Sequence, residues 1–92
     1  MRYDNLNTII KTYGKESQIN VAIEEMSELT KELCKSKRGF DNLDKIAEEL
    51  ADVQIMLHQL FIMLPDEYRT LVTKTYDYKI DRQLERIRGN GA

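Results

Sequence analysis

Two acidic strings, Glu24-Glu25-Met26-Ser27-Glu28 and Glu48-Glu49-Leu50-Ala51-Asp52, hold the residues of this sequence best suited to chemistry. Each contains a carboxylate pair three residues apart, Glu25 with Glu28 and Glu49 with Asp52. On an α-helix such a pair is separated by about 60° of rotation and about 4.5 Å along the axis, so both carboxylates leave the same face. Four carboxylates gathered in a partly dry site repel one another and are stable only if protonated or bound to cations. Hard oxygen ligands select Mg²⁺, with Mn²⁺ as a substitute. A Mg²⁺ held this way keeps several waters, bridges phosphate oxygens and acidifies an attacking water. The reaction class this suggests is metal-assisted hydrolysis of a phosphoanhydride.

That chemistry requires two helices in a fixed register. Breakers are few: Pro65 and the glycines Gly14, Gly39, Gly89 and Gly91 divide the chain into long uninterrupted segments. They predict four helices, roughly over residues 4–13, 16–37, 43–64 and 66–88, and no segment shows strand alternation. The second segment carries Ile19, Ala22, Ile23, Met26, Leu29 and Leu33 at helical spacing. The third carries Leu43, Ile46, Ala47, Leu50, Val53, Leu57, Phe61 and Leu64. Each spacing marks an apolar face with an acid pair at its edge. Ile55, Met56, Ile62 and Met63 fall off the second stripe, which predicts a helix covered on more than one side and hence a homo-oligomer.

Between these segments Gly39 suits a helix C-terminus and Asp41 or Asn42 an N-cap, so the chain reverses there. An antiparallel hairpin centred near residue 39 sets opposite each other residues whose numbers sum to roughly 78. Glu28 then faces Glu49, and Glu25 faces Asp52, to within one residue. A lone E-x-x-E is commonplace on a solvated helix face. Two pairs matched across a turn favour a metal site over that bland alternative. Glu32, one turn beyond Glu28, suits a peripheral ligand, a base or a surface charge.

The bulk properties exclude several other classes. With 92 residues the chain is one domain with a modest core. A charged fraction of 33%, a hydrophobic fraction of 41% and a mean hydropathy of -0.56 belong to a folded protein. A net charge of -2 and a pI near 5.4 argue against a general electrostatic grip on nucleic acid or on an anionic membrane. The most apolar stretch, Val53 to Leu64, is interrupted by Gln54, His58 and Gln59 and is too short to span a bilayer. Met1 to Asn5 lack the apolar core of a signal peptide. One cysteine, Cys34, and one histidine, His58, supply neither a disulfide framework nor a four-ligand zinc site. A reducing cytoplasm is the expected compartment.

The strings Glu24-Glu25-Met26-Ser27-Glu28-Leu29 and Glu48-Glu49-Leu50-Ala51-Asp52-Val53 resemble those of the MazG-like all-α nucleoside triphosphate pyrophosphohydrolases, whose hallmark is E-x-x-E followed some twenty residues later by E-x-x-D. The four-helix layout agrees over nearly the whole chain. The resemblance implies an all-α, four-helix MazG-like bundle completed by homo-oligomerisation, as a homodimer or homotetramer. It implies that Glu25, Glu28, Glu49 and Asp52 hold Mg²⁺ and that a nucleoside triphosphate is cut between its α and β phosphates, giving monophosphate and pyrophosphate. Glu24 or Glu48 is expected to take the proton of the attacking water. Basic residues in a later helix of such enzymes meet the phosphates. Lys79, Arg82 and Arg86 share one helical face here and suit that role, or equally a solvated face paired with Asp81 and Glu85. Two alternatives stay open: phosphoribosyl-ATP pyrophosphohydrolase, whose acidic helix runs into a Tyr-His pair that Val53-Gln54-Ile55-Met56-Leu57-His58 lacks, and a non-enzymatic helical oligomerisation or regulatory module.

Overall fold

A computed structural model describes residues 3–89; the expectations attached to Met1, Arg2 and Gly91 lie outside the described residues. The described chain forms four helices, α1 (Tyr3–Tyr13), α2 (Lys15–Lys37), α3 (Leu43–Met63) and α4 (Asp66–Ile87), and no strand. Each end falls within one residue of its expected place. None of these helices is long and apolar enough to cross a membrane.

The joints follow from local chemistry. Gly14 alone connects α1 to α2 with φ 94°, a backbone region that glycine enters without steric cost. Its N–H donates to the Ile10 carbonyl at 2.7 Å and its own carbonyl accepts from the Gln18 N–H at 3.1 Å, closing one helix and opening the next. At the end of α2, Gly39 takes φ 93°. The Phe40 N–H reaches back to the Lys35 carbonyl at 3.2 Å and the Gly39 N–H to the Ser36 carbonyl at 3.0 Å, the paired bonds of a Schellman motif. This is where the sequence places the reversal. At the third joint the residue before Pro65 is pushed out of helical backbone, and Leu64 is extended at ψ 145°.

The core lies where α1 crosses the α2–α3 hairpin. Leu6 and Ile10 of α1, one turn apart, are buried together with Ala22 of α2 and Val53 and Met56 of α3. Ala22, 1% exposed, lets the backbones of α2 and α3 approach closely. The seam between these helices is otherwise partly polar. On α2 its buried and half-buried positions are Gln18, Ala22, Glu25, Leu29 and Glu32; on α3 they include Ile46, Glu49, Val53, Met56 and Gln59. The apolar stripe read from the sequence therefore faces elsewhere in part: Ile19, Ile23, Met26 and Leu33 of α2 and Leu43, Leu50 and Leu57 of α3 are exposed. On α2 the seam shares Ala22 and Leu29 with that stripe but is rotated from it by about 70°. The rotation turns Glu25, Glu49 and Asp52 inward, leaves Glu28 exposed and puts several of the aliphatic residues outside.

α4 packs along none of the other helices and none of its residues is buried. A single chain thus contains a three-helix core with α4 standing off it, rather than a closed four-helix bundle. The Cα radius of gyration is 16.6 Å, against about 12 Å for a compact chain of this length. Arg69 fixes the corner: its guanidinium donates to the Ile62 carbonyl at 3.2 Å and to the Leu64 carbonyl, and pairs with Asp66. It thereby satisfies carbonyls that the end of α3 leaves without partners.

Candidate metal centre

Three carboxylates converge on the hairpin seam. Glu25 from α2 and Glu49 and Asp52 from α3 each offer an oxygen within 4.8 Å of the other two, and all three residues are half-buried. Glu25 faces Asp52, as the turn register predicts. Glu28, the fourth residue of the expected set, is exposed at the rim of this group. It remains close enough for its charge to act on both Glu25 and Glu49.

The electrostatics are those of crowded like charges. The Glu25 pKa is raised, first by burial, then by a hydrogen bond with Asp52 and by the charges of Asp52, Glu49 and Glu28. Two carboxyl groups share a hydrogen bond only when one keeps its proton, so the cluster holds a proton more readily than free carboxylates would. Glu49 is also raised, first by burial and then by Asp52, Glu28, Glu48 and Glu32. Its Oε2 is enclosed and has no hydrogen-bond partner. An enclosed acceptor without a donor is costly, and either a proton or a cation relieves it. The donor set consists of carboxylate oxygens, which suits Mg²⁺ or Mn²⁺ in preference to softer ions.

Beside Glu25 and Asp52 lies a cleft of about 200 Å³ walled by Val21, Ile55 and Met56. The sequence signal for these walls is positional. Val21 stands one turn before Glu25, and Ile55 and Met56 are the apolar residues that fall off the stripe of α3. Glu25 and Asp52 therefore border a shallow, largely apolar depression.

The remaining expected residues are distributed less favourably. Glu24 is exposed on α2 outside the cluster, and Glu48 is exposed and ion-paired with Lys45 at 3.7 Å. Glu48 nonetheless lies near enough for its charge to act on Glu49. Lys79, Arg82 and Arg86 are exposed on α4, with the Arg82 guanidinium 5.7 Å from the centre of the Tyr78 ring. Among the described residues, none from α4 lines the cleft or joins the carboxylates. Tyr76 lines a separate groove between α3 and α4 with Leu57, His58 and Phe61. Glu32 is not the surface charge that was one of the roles open to it. It is buried, accepts from Asn42 Nδ2 at 2.9 Å and pairs with Lys35 at 3.4 Å, and the Asn42 bond is the main cause of its lowered pKa. Its place beside the start of α3, at the polar seam, removes it from solvent.

Comparison of the chain with protein-family models, with curated proteins and with solved structures finds no match.

Proposed function

We propose that this protein is a metal-dependent nucleoside triphosphate pyrophosphohydrolase of the MazG-like kind. The observation that carries the reading is the meeting of Glu25, Glu49 and Asp52 from two helices within 4.8 Å, with Glu28 at the rim. The unsatisfied Glu49 oxygen and the raised pKa values of Glu25 and Glu49 describe a group of carboxylates in need of positive charge. Glu25, Glu28, Glu49 and Asp52 would hold Mg²⁺, which when bound supplies a polarised water and a grip on the phosphate oxygens. The apolar side chains of Val21, Ile55 and Met56 beside the carboxylates suit the part of a nucleotide that carries no charge. Glu24 or Glu48, both exposed near the cluster, would accept a proton from the attacking water.

Association of copies belongs to the same proposal. An α4 without a buried residue, together with exposed Ile23, Leu50, Leu57, Leu71, Ile80 and Leu84, leaves apolar side chains that a second copy would cover. A homodimer or homotetramer in which these faces cover one another would complete the bundle. It would also give Lys79, Arg82 and Arg86 a route to the phosphates held at another copy's carboxylates. The single exposed thiol, Cys34, suits a reducing compartment such as the cytoplasm.

The test is release of pyrophosphate from a panel of ribo- and deoxyribonucleoside triphosphates and phosphoribosyl-ATP, with and without Mg²⁺, beside Glu49→Gln. Metal-dependent release that disappears in the variant is the expected result. Silence across the panel would remove the enzymatic reading and leave a helical interaction module.

A further inference from the structure

Asn42 occupies the N-cap position of α3, where an asparagine side chain ordinarily accepts from the helix's own first N–H groups. Here its side chain makes no cap bond. The amide Nδ2 instead donates twice to Glu32 across the turn, to its main-chain carbonyl at 2.9 Å and to its carboxylate Oε1 at 2.9 Å. Lys35 Nζ holds the other carboxylate oxygen at 3.4 Å. Asn42 and Glu32 are each 8% exposed, so this clasp is shielded from competing water. No other side chain-to-side chain hydrogen bond joins α2 to the start of α3 among the described residues.

Glu32 lies one turn beyond Glu28 on the inward face of α2, and Asn42 lies two turns before Glu49 on the inward side of α3. A slip of one residue between the helices would displace one carboxylate set by about 1.5 Å and rotate it by about 100°. That exceeds what a group confined to 4.8 Å tolerates. We propose that Asn42 is a positioning residue: by clasping Glu32 it sets the register in which Glu25, Glu49 and Asp52 meet, at the expense of capping its own helix. The inference rests on the metal-site reading above. Asn42 touches neither substrate nor ion.

The experiment is Mn²⁺ binding, followed by calorimetry and by the electron paramagnetic resonance of free Mn²⁺, for the unaltered chain, Asn42→Ala, Asn42→Asp and Glu32→Gln. All are measured at a temperature where circular dichroism shows each to be fully helical. Asn42→Ala is expected to bind Mn²⁺ about 10- to 100-fold more weakly, the range for groups that orient metal ligands. Asn42→Asp keeps the shape, loses both donors, repels Glu32 and weakens binding likewise; it carries the test if Asn42→Ala does not fold. Glu32→Gln keeps an acceptor oxygen opposite Asn42 and should stay close to the unaltered affinity. A lowered melting temperature with unchanged Mn²⁺ affinity in the asparagine variants would overturn the clasp alone. Absence of Mn²⁺ binding in the unaltered chain would overturn the metal-site reading and the clasp with it.

Discussion

A divalent cation should stabilise this fold to an extent that can be worked out beforehand, and removal of one carboxylate should abolish the effect without weakening the metal-free protein. An ion that binds only the folded chain stabilises it by about 2.7 kcal/mol at one hundred times its dissociation constant. Unfolding entropy is about 2.1 cal/mol/K per residue, or about 190 cal/mol/K for 92 residues. The melting temperature should therefore rise by about 14 °C in saturating Mg²⁺ or Mn²⁺. In Glu49→Gln the shift should vanish, because the residue that faces both Glu28 and Asp52 no longer offers a charged oxygen. The metal-free variant should melt no lower than the unaltered chain, since the substitution removes a repelling charge and preserves side-chain volume. Differential scanning fluorimetry across a Mg²⁺ titration, with Glu67→Gln at an exposed site on α4 as the control, reads all of this. An equal rise in Glu49→Gln and the unaltered chain would refute the reasoning, because the ion would then be acting elsewhere.

Two further outcomes are expected. The raised pKa values of Glu25 and Glu49 mean that the folded state binds protons more tightly than the unfolded state, so metal-free stability should increase as pH falls from neutral toward the ordinary glutamate range. Lowered Glu32 acts in the opposite sense at still lower pH, and urea titrations at stepped pH should show the maximum between these limits, shifted upward in pH when Mg²⁺ is present. Sedimentation velocity at micromolar concentration should give a dimer or a larger species, because α4 buries nothing within one chain; a monomer at all concentrations would remove the association proposal.

The helices, their joints and the pairing of acids across the turn were legible in the sequence, because these rest on local signals. Gly14, Gly39 and Pro65 act on the backbone at their own positions, and turn position with helical rise is enough to set Glu25 opposite Asp52 to within a residue. The rotation of each helix was less legible. Periodicity finds an apolar stripe but does not say whether that stripe meets the chain's own neighbour, and Ile19, Ile23, Leu50 and Leu57 are exposed while Gln18, Glu32 and Gln59 are buried. Asn42 illustrates the same limit: its residue type and place predict a cap, and only packing of α2 against α3 reveals the competing acceptors on Glu32. The isolation of α4 from the core had a weak signal that went unread: its segment is the most polar of the four and the least amphipathic.

These departures have a common physical origin in the composition of the seam. A hairpin of two helices this long would gain most by lining its contact with leucines, at roughly 25 cal/mol for each Å² of apolar surface removed from water. This one places Gln18, Glu25, Glu32, Glu49, Asp52 and Gln59 at or near that contact and leaves several aliphatic side chains outside. The arrangement forgoes hydrophobic stabilisation and adds repulsion, which is economical only if partners satisfy the polar groups and cover the exposed aliphatic residues. The Asn42 clasp does so for Glu32. On the proposed reading a divalent cation does so for Glu25, Glu49 and Asp52, and a second copy covers the aliphatic residues that the rotation turns outward. A seam that is poor for the isolated chain is in that case the condition for a site: the rotation that exposes the aliphatic stripe is the same rotation that turns the carboxylates to face one another.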